Sequence, residues 1–212
     1  MNTTTTTYAL KREVMTFCRQ LGKGISVPQR RFLSDMVYGI TASANCILSK
    51  IADTLQEPIR KINTVDRLSR NLMSDIPERV EENFRHRLRG QINPTGNIYV
   101  DDSDIIKPYG QAFEDLGLVR DGSSPEKKIG KGYHVAEICA LLDQGKQPVS
   151  LYSRIYSPES EGFISENAET QKALLSVFRD FPDAAYVFDR GYDANEHFRF
   201  MYGHRKNFIV RI

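Results

Sequence analysis

Apolar residues recur every three or four positions over roughly the first 90 residues, which is the spacing of amphipathic helices. Glycines and prolines interrupt the pattern, so each helical stretch is short. The pattern predicts helices over residues 10–21, 28–40, 47–55 and 79–89. We therefore expect a small helical domain over residues 8–93. Residues 1–7 contain five consecutive threonines, and this low complexity predicts a disordered tip.

After a linker around Pro94 and Gly96, the hydrophobic period changes to that of strands. Short runs rich in Val, Ile, Tyr and Phe predict strands over residues 98–100, 133–142, 148–156, 184–188 and 208–212. Helices are expected over residues 165–179 and 194–202. Three strands in succession favour an antiparallel meander, and the later alternation favours a mixed sheet. The sequence therefore predicts an α+β protein whose second domain spans residues 96–212.

Charge is distributed unevenly along the chain, although the net charge is only +2. Residues 1–95 carry 15 Lys and Arg against 9 Asp and Glu, whereas residues 96–212 carry 14 against 18. A basic first half beside an acidic second half fits a DNA-binding domain next to a carboxylate metal site, although ordinary scatter of surface charge gives the same balance. Arg60, Lys61, Arg67 and Arg70 follow a possible helix-turn-helix and are candidate DNA contacts.

Cysteine usage and hydropathy indicate in which cellular compartment the protein is found. The three cysteines are widely spaced and form no C-x-x-C motif, so neither a disulfide framework nor a zinc site is predicted. No apolar run approaches the length of a membrane span, and the polar start has no signal-peptide core. We expect a cytoplasmic protein.

Two aspartates follow predicted strands: Asp102 after the run Ile98–Val100, and Asp189 after Ala185–Phe188. Carboxylates in such places can hold Mg²⁺, and two such ions stabilise the attacking and leaving oxygens of a phosphodiester displacement. Because side chains alternate along a strand, Asp101 and Asp102 point to opposite faces and only one can enter the site. Asp102 is our choice, with Asp101 as the alternative. Asp101 and Asp102 could instead simply end the strand and cap a turn.

Basic residues near these acids are candidate phosphate contacts. Arg190 directly follows Asp189 and is placed to pair with a carboxylate or a phosphate. Lys127, Lys128 and Lys131 precede the second predicted strand and are candidates for sequence-independent contacts with the DNA backbone.

Four segments together carry a resemblance to a known family: Tyr99–Pro108, Gly130–His134, Tyr186–Asp193 and Phe208–Arg211. They resemble bacterial DDE insertion-sequence transposases, the group typified by the fourth insertion sequence. The resemblance spans nearly all of residues 96–212 and, more loosely, the helical first half.

The resemblance implies cut-and-paste transposition by a ribonuclease H-like core that binds two Mg²⁺ or Mn²⁺ ions. It also implies that the helical domain, which precedes this core in the sequence, recognises transposon ends. Water first attacks the phosphodiester at the element end, and the freed 3′-hydroxyl then attacks target DNA. Asp102 and Asp189 correspond to the first two acids of the catalytic and metal-binding triad. Lys131 and Arg190 are the core's candidate DNA contacts on their charge and position alone. The implied partners are double-stranded DNA and further copies of the chain.

The family's third acid is a glutamate that lies beyond the final core strand, and these 212 residues contain no counterpart. Glu196 and Asp193 lie on a different element and are not expected to replace it. We therefore expect a truncated core, an amino-terminal fragment that is inactive alone. Two alternatives remain: a ribonuclease H-like nuclease without strand transfer, and a truncated DNA-binding inhibitor of transposition.

Overall fold

The computed structural model describes residues 3–120, 122, 128–142 and 147–211. The chain forms two compact units, Met1–Arg85 and His86–Ile212. The first is helical and the second holds a mixed sheet, so the α+β class expected from the sequence is confirmed.

Five helices occupy the first 89 residues. They are α1 (Thr3–Leu21), α2 (Val27–Ser43), α3 (Leu48–Leu55), α4 (Lys61–Leu72) and α5 (Glu78–Arg89). Helix α1 begins at Thr3, so residues 3–7 are helical where composition predicted a disordered tip. Threonine lowers helix propensity without forbidding a helix, and no glycine or proline interrupts the run.

Local sequence explains where α2 starts and how closely it packs. Ser26 and Gln29 form a capping box, in which each side chain pairs with the other residue's backbone at the helix start. Further along α2, Gly39 lies directly against Ile51 of α3, and an added Cβ would meet the Ile51 side chain. Ile51 and Leu68 are fully buried. The glycine therefore lets these two helices approach each other around one apolar contact.

After the end of α5, the described residues form six strands and two α-helices. They are β1 (Asn97–Ile106), β2 (Gly117–Arg120), β3 (Ile129–Leu142), β4 (Gln147–Tyr156), α6 (Glu166–Phe178), β5 (Ala185–Phe188), α7 (Asn195–Gly203) and β6 (Asn207–Val210). Strand β2 was not predicted from the sequence. Strand β1 is also longer than predicted, because it continues to pair with β3 as far as Ile106.

The sheet has the order β2-β3-β1-β5-β6, and β4 also pairs with β3. Strand β3 is antiparallel to β1, β2 and β4, whereas β5 is parallel to both β1 and β6. Strands β1 and β5 are thus neighbours although most of the second unit separates them in sequence. Both run in the same direction, so their carboxyl ends lie at one side of the sheet.

One face of the sheet is covered by α6 and α7. Tyr186 and Phe188 of β5 are buried on this face, where Tyr186 contacts Phe178 of α6 at 4.9 Å between ring centroids. Phe188 contacts His197 of α7 at 4.3 Å between ring centroids. Ser165 begins α6 by accepting a hydrogen bond from the amide of Ala168 at 3.1 Å.

Candidate functional site

The parallel pairing of β1 with β5 determines which acids meet. Its last residue pair is Val100 with Phe188, so Asp101 and Asp189 occupy the next level on the two strands. The backbone at Asp189 is still extended, with φ −75° and ψ 170°. Strand alternation therefore places Asp101 and Asp189 on the same face of the sheet. Asp102 points to the opposite face.

Asp101 and Asp189 are both exposed. Partial burial raises the pKa of the Asp101 carboxyl above its ordinary value, and the charge of Asp189 raises the pKa further. Like charges held close together disfavour ionisation, and a cation between them relieves this repulsion. The electrostatics therefore link Asp101, rather than Asp102, to Asp189.

Asp102 lies on the face that α6 covers. The hydroxyl of Thr170 on α6 donates a hydrogen bond to Asp102 Oδ2 at 3.1 Å. Burial raises the pKa of the Asp102 carboxyl, the hydroxyls of Tyr192 and Thr170 lower it in part, and the charges of Glu166 and Asp101 raise it again. Asp102, the acid chosen from the sequence, is thus the more buried of the two adjacent acids.

An open cleft of about 290 Å³ collects these side chains at one end of the sheet. Its lining consists of Asp101, Asp102, Glu166, Asn167, Asp189, Gly191 and Tyr192. Glu166 belongs to the first turn of α6, and Gly191 and Tyr192 belong to a short 3-10 turn that follows Asp189. The cleft is therefore rich in carboxylates and open to solvent.

The acids affect nearby phenols as well. Burial, followed by the charge of Asp102, raises the pKa of Tyr156 and of Tyr192 well above the ordinary value for tyrosine. Tyr156 also stacks on His134, with 5.3 Å between ring centroids. His134 Nε2 lies 3.7 Å from Glu166. These side chains surround Asp102 on its buried side.

Glu137 is an acid that the sequence reasoning missed. It lies on β3 directly opposite Asp101 in the antiparallel ladder. Directly opposite residues share a face, so Glu137, Asp101 and Asp189 follow one another across three neighbouring strands. Glu137 Oε1 accepts a hydrogen bond from Cys139 Sγ at 3.3 Å, and burial, with Glu137 as the next cause, raises the pKa of Cys139 to about 11.

Over the described part of the chain, no group of three or more His, Cys, Asp or Glu side chains is gathered closely enough to hold a metal ion. Glu137, Asp101 and Asp189 are thus aligned across three neighbouring strands but do not form a complete set of metal ligands. Carboxylate oxygens are nevertheless the ligands that Mg²⁺ and Mn²⁺ prefer. Asp101 and Asp189 fit a divalent ion that completes its coordination with water.

The predicted phosphate contacts near the core are not among the residues that line the cleft. Arg190 is exposed beside Asp189 but does not line the cleft. Lys131 is exposed on β3, six residues before Glu137, which corresponds to about 20 Å along a strand. Lys127 lies outside the described residues.

Two of the basic residues proposed as DNA contacts in the helical unit are engaged in ion pairs. Arg67 donates to Asp35 and to Glu57, each at 2.8 Å. Lys61 Nζ lies 2.7 Å from Asp53. Because these cations are already neutralised, they contribute less to a phosphate-binding surface than the sequence count implied.

An apolar cleft of about 340 Å³ also lies in the helical unit. Its lining comes from α2, from α5 and from the end of α4 with the segment after it, and includes Phe32, Met36 and Ile76. Asp75 is its one titratable lining residue. The cleft therefore offers hydrophobic contact and not acid–base or metal chemistry.

No protein-family model matches the chain, and no curated protein is significantly similar to it. Among the helices of the described residues, none combines the length and the apolar character that crossing a membrane requires.

Proposed function

We propose that the chain belongs to a DNA transposase of the DDE type, whose ribonuclease H-like core performs metal-dependent phosphoryl transfer. One observation carries the proposal: Asp101 and Asp189 follow directly after the last pair of a parallel ladder and line one open cleft. Two carboxylates delivered by neighbouring strands suit a phosphodiester substrate whose charge is balanced by Mg²⁺ or Mn²⁺.

The strand order supports the ribonuclease H-like assignment. Three antiparallel strands, β1, β3 and β4, precede alternating helices and parallel strands in the same sheet. The first of these strands lies beside β5, as the resemblance to insertion-sequence transposases implies. The extra short strand β2 extends the hairpin before β3 and leaves this order unchanged.

Within this proposal, Asp189 acts with Asp101 as the metal-binding pair. Both are exposed in the cleft, on the same face of the sheet, and each would place an oxygen on a divalent ion. When bound, the ions supply Lewis-acid stabilisation of the reacting phosphate. The chain's own residues hold and orient them. Asp102 was predicted from the sequence for this role. It is the weaker candidate because its side chain points to the opposite face of the sheet from Asp101 and Asp189.

DNA and further copies of the chain are the proposed partners, in the bacterial cytoplasm. The ion pairs of Lys61 and Arg67 shift the proposed DNA contacts of the helical unit towards Arg60 and Arg70, which are exposed. Lys131 and Arg190 remain proposed contacts of the core. Binding of phosphates by these side chains releases counterions and makes the affinity strongly salt-dependent.

A second candidate is a DNA-binding inhibitor of transposition. It is favoured by one observation, that no three acids are gathered as a ligand set among the described residues. Such a chain would occupy DNA ends without cutting them. A ribonuclease H-like nuclease has the same site and is distinguished by nicking without joining.

Mn²⁺ binding to the full chain tests the proposal. Titration calorimetry or electron paramagnetic resonance should detect binding that weakens about tenfold or more in Asp101→Asn and Asp189→Asn. The matched control is Asp183→Asn, an exposed aspartate just before β5. If all four proteins bind Mn²⁺ equally, or none binds it, the proposed metal site is wrong.

A further inference from the structure

Asp102 makes its hydrogen bond on the face of the sheet that α6 covers, although its side chain also lines the cleft that Asp101 and Asp189 share. Thr170 lies 3.1 Å from Asp102 Oδ2 and equally far from the carbonyl of Glu166, so its one proton serves either acceptor in turn. Asp102 Oδ1 is buried and makes no hydrogen bond of normal geometry. One oxygen of this carboxylate is thus occupied by α6 and the other is available to a neighbouring donor.

Tyr192 is that neighbour. Its ring contacts both Phe188 and His197, at centroid distances of 5.2 and 5.3 Å. Its hydroxyl is buried and, like Asp102 Oδ1, has no hydrogen bond of normal geometry. Tyr192 nevertheless lines the same cleft as Asp102, and its hydroxyl lowers the pKa of that carboxyl as a nearby donor does. A small movement would join two buried polar groups that otherwise remain unsatisfied.

Tyr192 also closes the turn that carries Asp189. The amide of Tyr192 donates to the carbonyl of Asp189 at 3.1 Å, so the two residues are the ends of one 3-10 turn. Asp189 lies just outside β5, which ends at Phe188, and the 3-10 turn Arg190–Tyr192 is the element that directly follows it. The position of the Asp189 carboxylate therefore depends on how firmly Tyr192 is held.

We propose that Asp102 is a positioning residue: its carboxylate, bound to Thr170, accepts the Tyr192 hydroxyl and fixes the turn that presents Asp189 beside Asp101. This rests on the proposed metal site at Asp101 and Asp189. It assigns the two adjacent acids of β1 to different tasks, one on each face of the strand. Asp101 contacts the ion, and Asp102 contacts the supporting hydroxyls.

A conservative variant separates this role from direct metal binding. In Asp102→Asn the amide oxygen still accepts from one hydroxyl and the amide NH₂ donates to the oxygen of the other, so both contacts are kept, whereas Asp102→Ala removes them. We expect Asp102→Asn to bind Mn²⁺ within about threefold of the unmodified chain, and Asp102→Ala and Tyr192→Phe each to bind about tenfold more weakly. The double variant Asp102→Ala/Tyr192→Phe should be no weaker than either single variant, because both remove the same contact.

Direct coordination predicts a different pattern. A ligand carboxylate loses its charge in Asp102→Asn, so that variant would then bind as poorly as Asp101→Asn. That result, or unchanged Mn²⁺ affinity in Tyr192→Phe, overturns the positioning role. Asp183→Asn serves as the control for a charge removed elsewhere on the same unit.

Amide hydrogen exchange gives a metal-free readout of the same contact. Exchange at the Tyr192 amide should accelerate about tenfold in Asp102→Ala and in Tyr192→Phe, and remain near its original rate in Asp102→Asn and Asp101→Asn. If the unmodified chain binds no Mn²⁺ but this pattern is found, the proposed metal site fails while the contact stands. If Asp102→Ala leaves the exchange rate unchanged, the positioning role is wrong.

Discussion

Val100 and Phe188 form the last pair of the parallel ladder between β1 and β5. Both are buried, with 3% and 1% of their surface exposed, so this pair is fixed by the core beneath it. The next residues on the two strands are Asp101 and Asp189, which leave the core and enter the open cleft. Burial of the pair Val100 and Phe188 thus fixes the register of the two strands, and this register aligns Asp101 with Asp189.

Affinity cleavage provides a direct test of this alignment. Fe²⁺ bound in place of Mg²⁺ generates hydroxyl radicals that cut the nearby backbone when ascorbate and peroxide are added. We expect cuts near residues 101 and 189, which are 88 positions apart in sequence, and their suppression by excess Mg²⁺. Asp189→Asn should abolish both cuts, and Asp183→Asn should keep them. Cuts near only one of the two positions would contradict a shared ion.

The order of the main strands follows from the hydrophobic period, but the alignment of the acids does not. The acids in β1 suggested a strand end, since Asp is disfavoured in strands, yet pairing with β3 continues beyond them. The sequence pattern does not distinguish Asp101 from Asp102, because only the partner strands determine which face of β1 is covered. Glu137 was missed because it lies within a strongly apolar strand, 36 positions from Asp101. Strand β2 has only two apolar residues, Leu118 and Val119, whereas the equally short β5 consists entirely of apolar and aromatic residues.

The basic residues of the helical unit illustrate the same limit. Their count is visible in the sequence, but their partners are not. Arg67 pairs with Asp35 and Glu57, which are 32 and 10 positions away. Only the packing of α2 against the later helices brings these charges together. A charge balance therefore overestimates the cations available to DNA.

Glu57→Gln should destabilise the helical unit by about 1–3 kcal/mol, because it weakens charge-assisted hydrogen bonds from Arg67 and Arg31 in a mostly buried position. Urea unfolding measures the change. The control is Glu13→Gln, since Glu13 is 73% exposed and its pair with Arg12 should contribute less than about 1 kcal/mol. Equal stability of the two variants would show that the Arg67 pairs contribute nothing net.

The same carboxylate predicts a pH dependence. Burial alone would raise the pKa of Glu57, but hydrogen bonds from Arg67, Thr64 and Arg31 outweigh it and lower the pKa to about 2. A depressed carboxyl pKa stabilises the folded state above the unfolded pKa, and the contribution is lost as the pH falls through the folded pKa. The stability difference between the unmodified chain and Glu57→Gln should therefore be constant above about pH 5 and shrink towards pH 2. A difference that grows on acidification would contradict this sign.

Gly39→Ala should destabilise the helical unit by about 1–3 kcal/mol despite the better helix propensity of alanine, because the new methyl group overlaps the Ile51 side chain. Thermal unfolding measures the loss. Gly203→Ala is the matched control, since no atom lies within 4 Å of its added Cβ. Replacing the opposing side chain in Gly39→Ala/Ile51→Leu should recover part of the loss, because leucine lacks the Cγ2 methyl that the new Cβ meets. If Gly39→Ala is as stable as Gly203→Ala, the close approach of α2 and α3 is wrong.

Strand transfer should be absent from the 212-residue chain, for an electrostatic reason. Asp101 and Asp189 offer a ligand charge of about −2 against about +4 from two divalent ions, so a second ion is poorly held without a further carboxylate. Among the described residues no third acid joins them as a ligand set. DNA phosphate oxygens supply part of the missing charge, which leaves room for weak nicking.

The assay combines the chain, Mg²⁺ or Mn²⁺, and DNA that carries the ends of the transposable element encoding the chain. The variants Asp189→Ala and Glu137→Gln are assayed in parallel. We expect no joining of ends to target DNA by any of the three proteins. Nicking, if present, should disappear in Asp189→Ala because one of the two metal-binding carboxylates is lost. If the unmodified chain joins ends and Asp189→Ala abolishes joining, an acid within these 212 residues completes the site. Loss of joining in Glu137→Gln would then identify that acid as the one opposite Asp101 on β3.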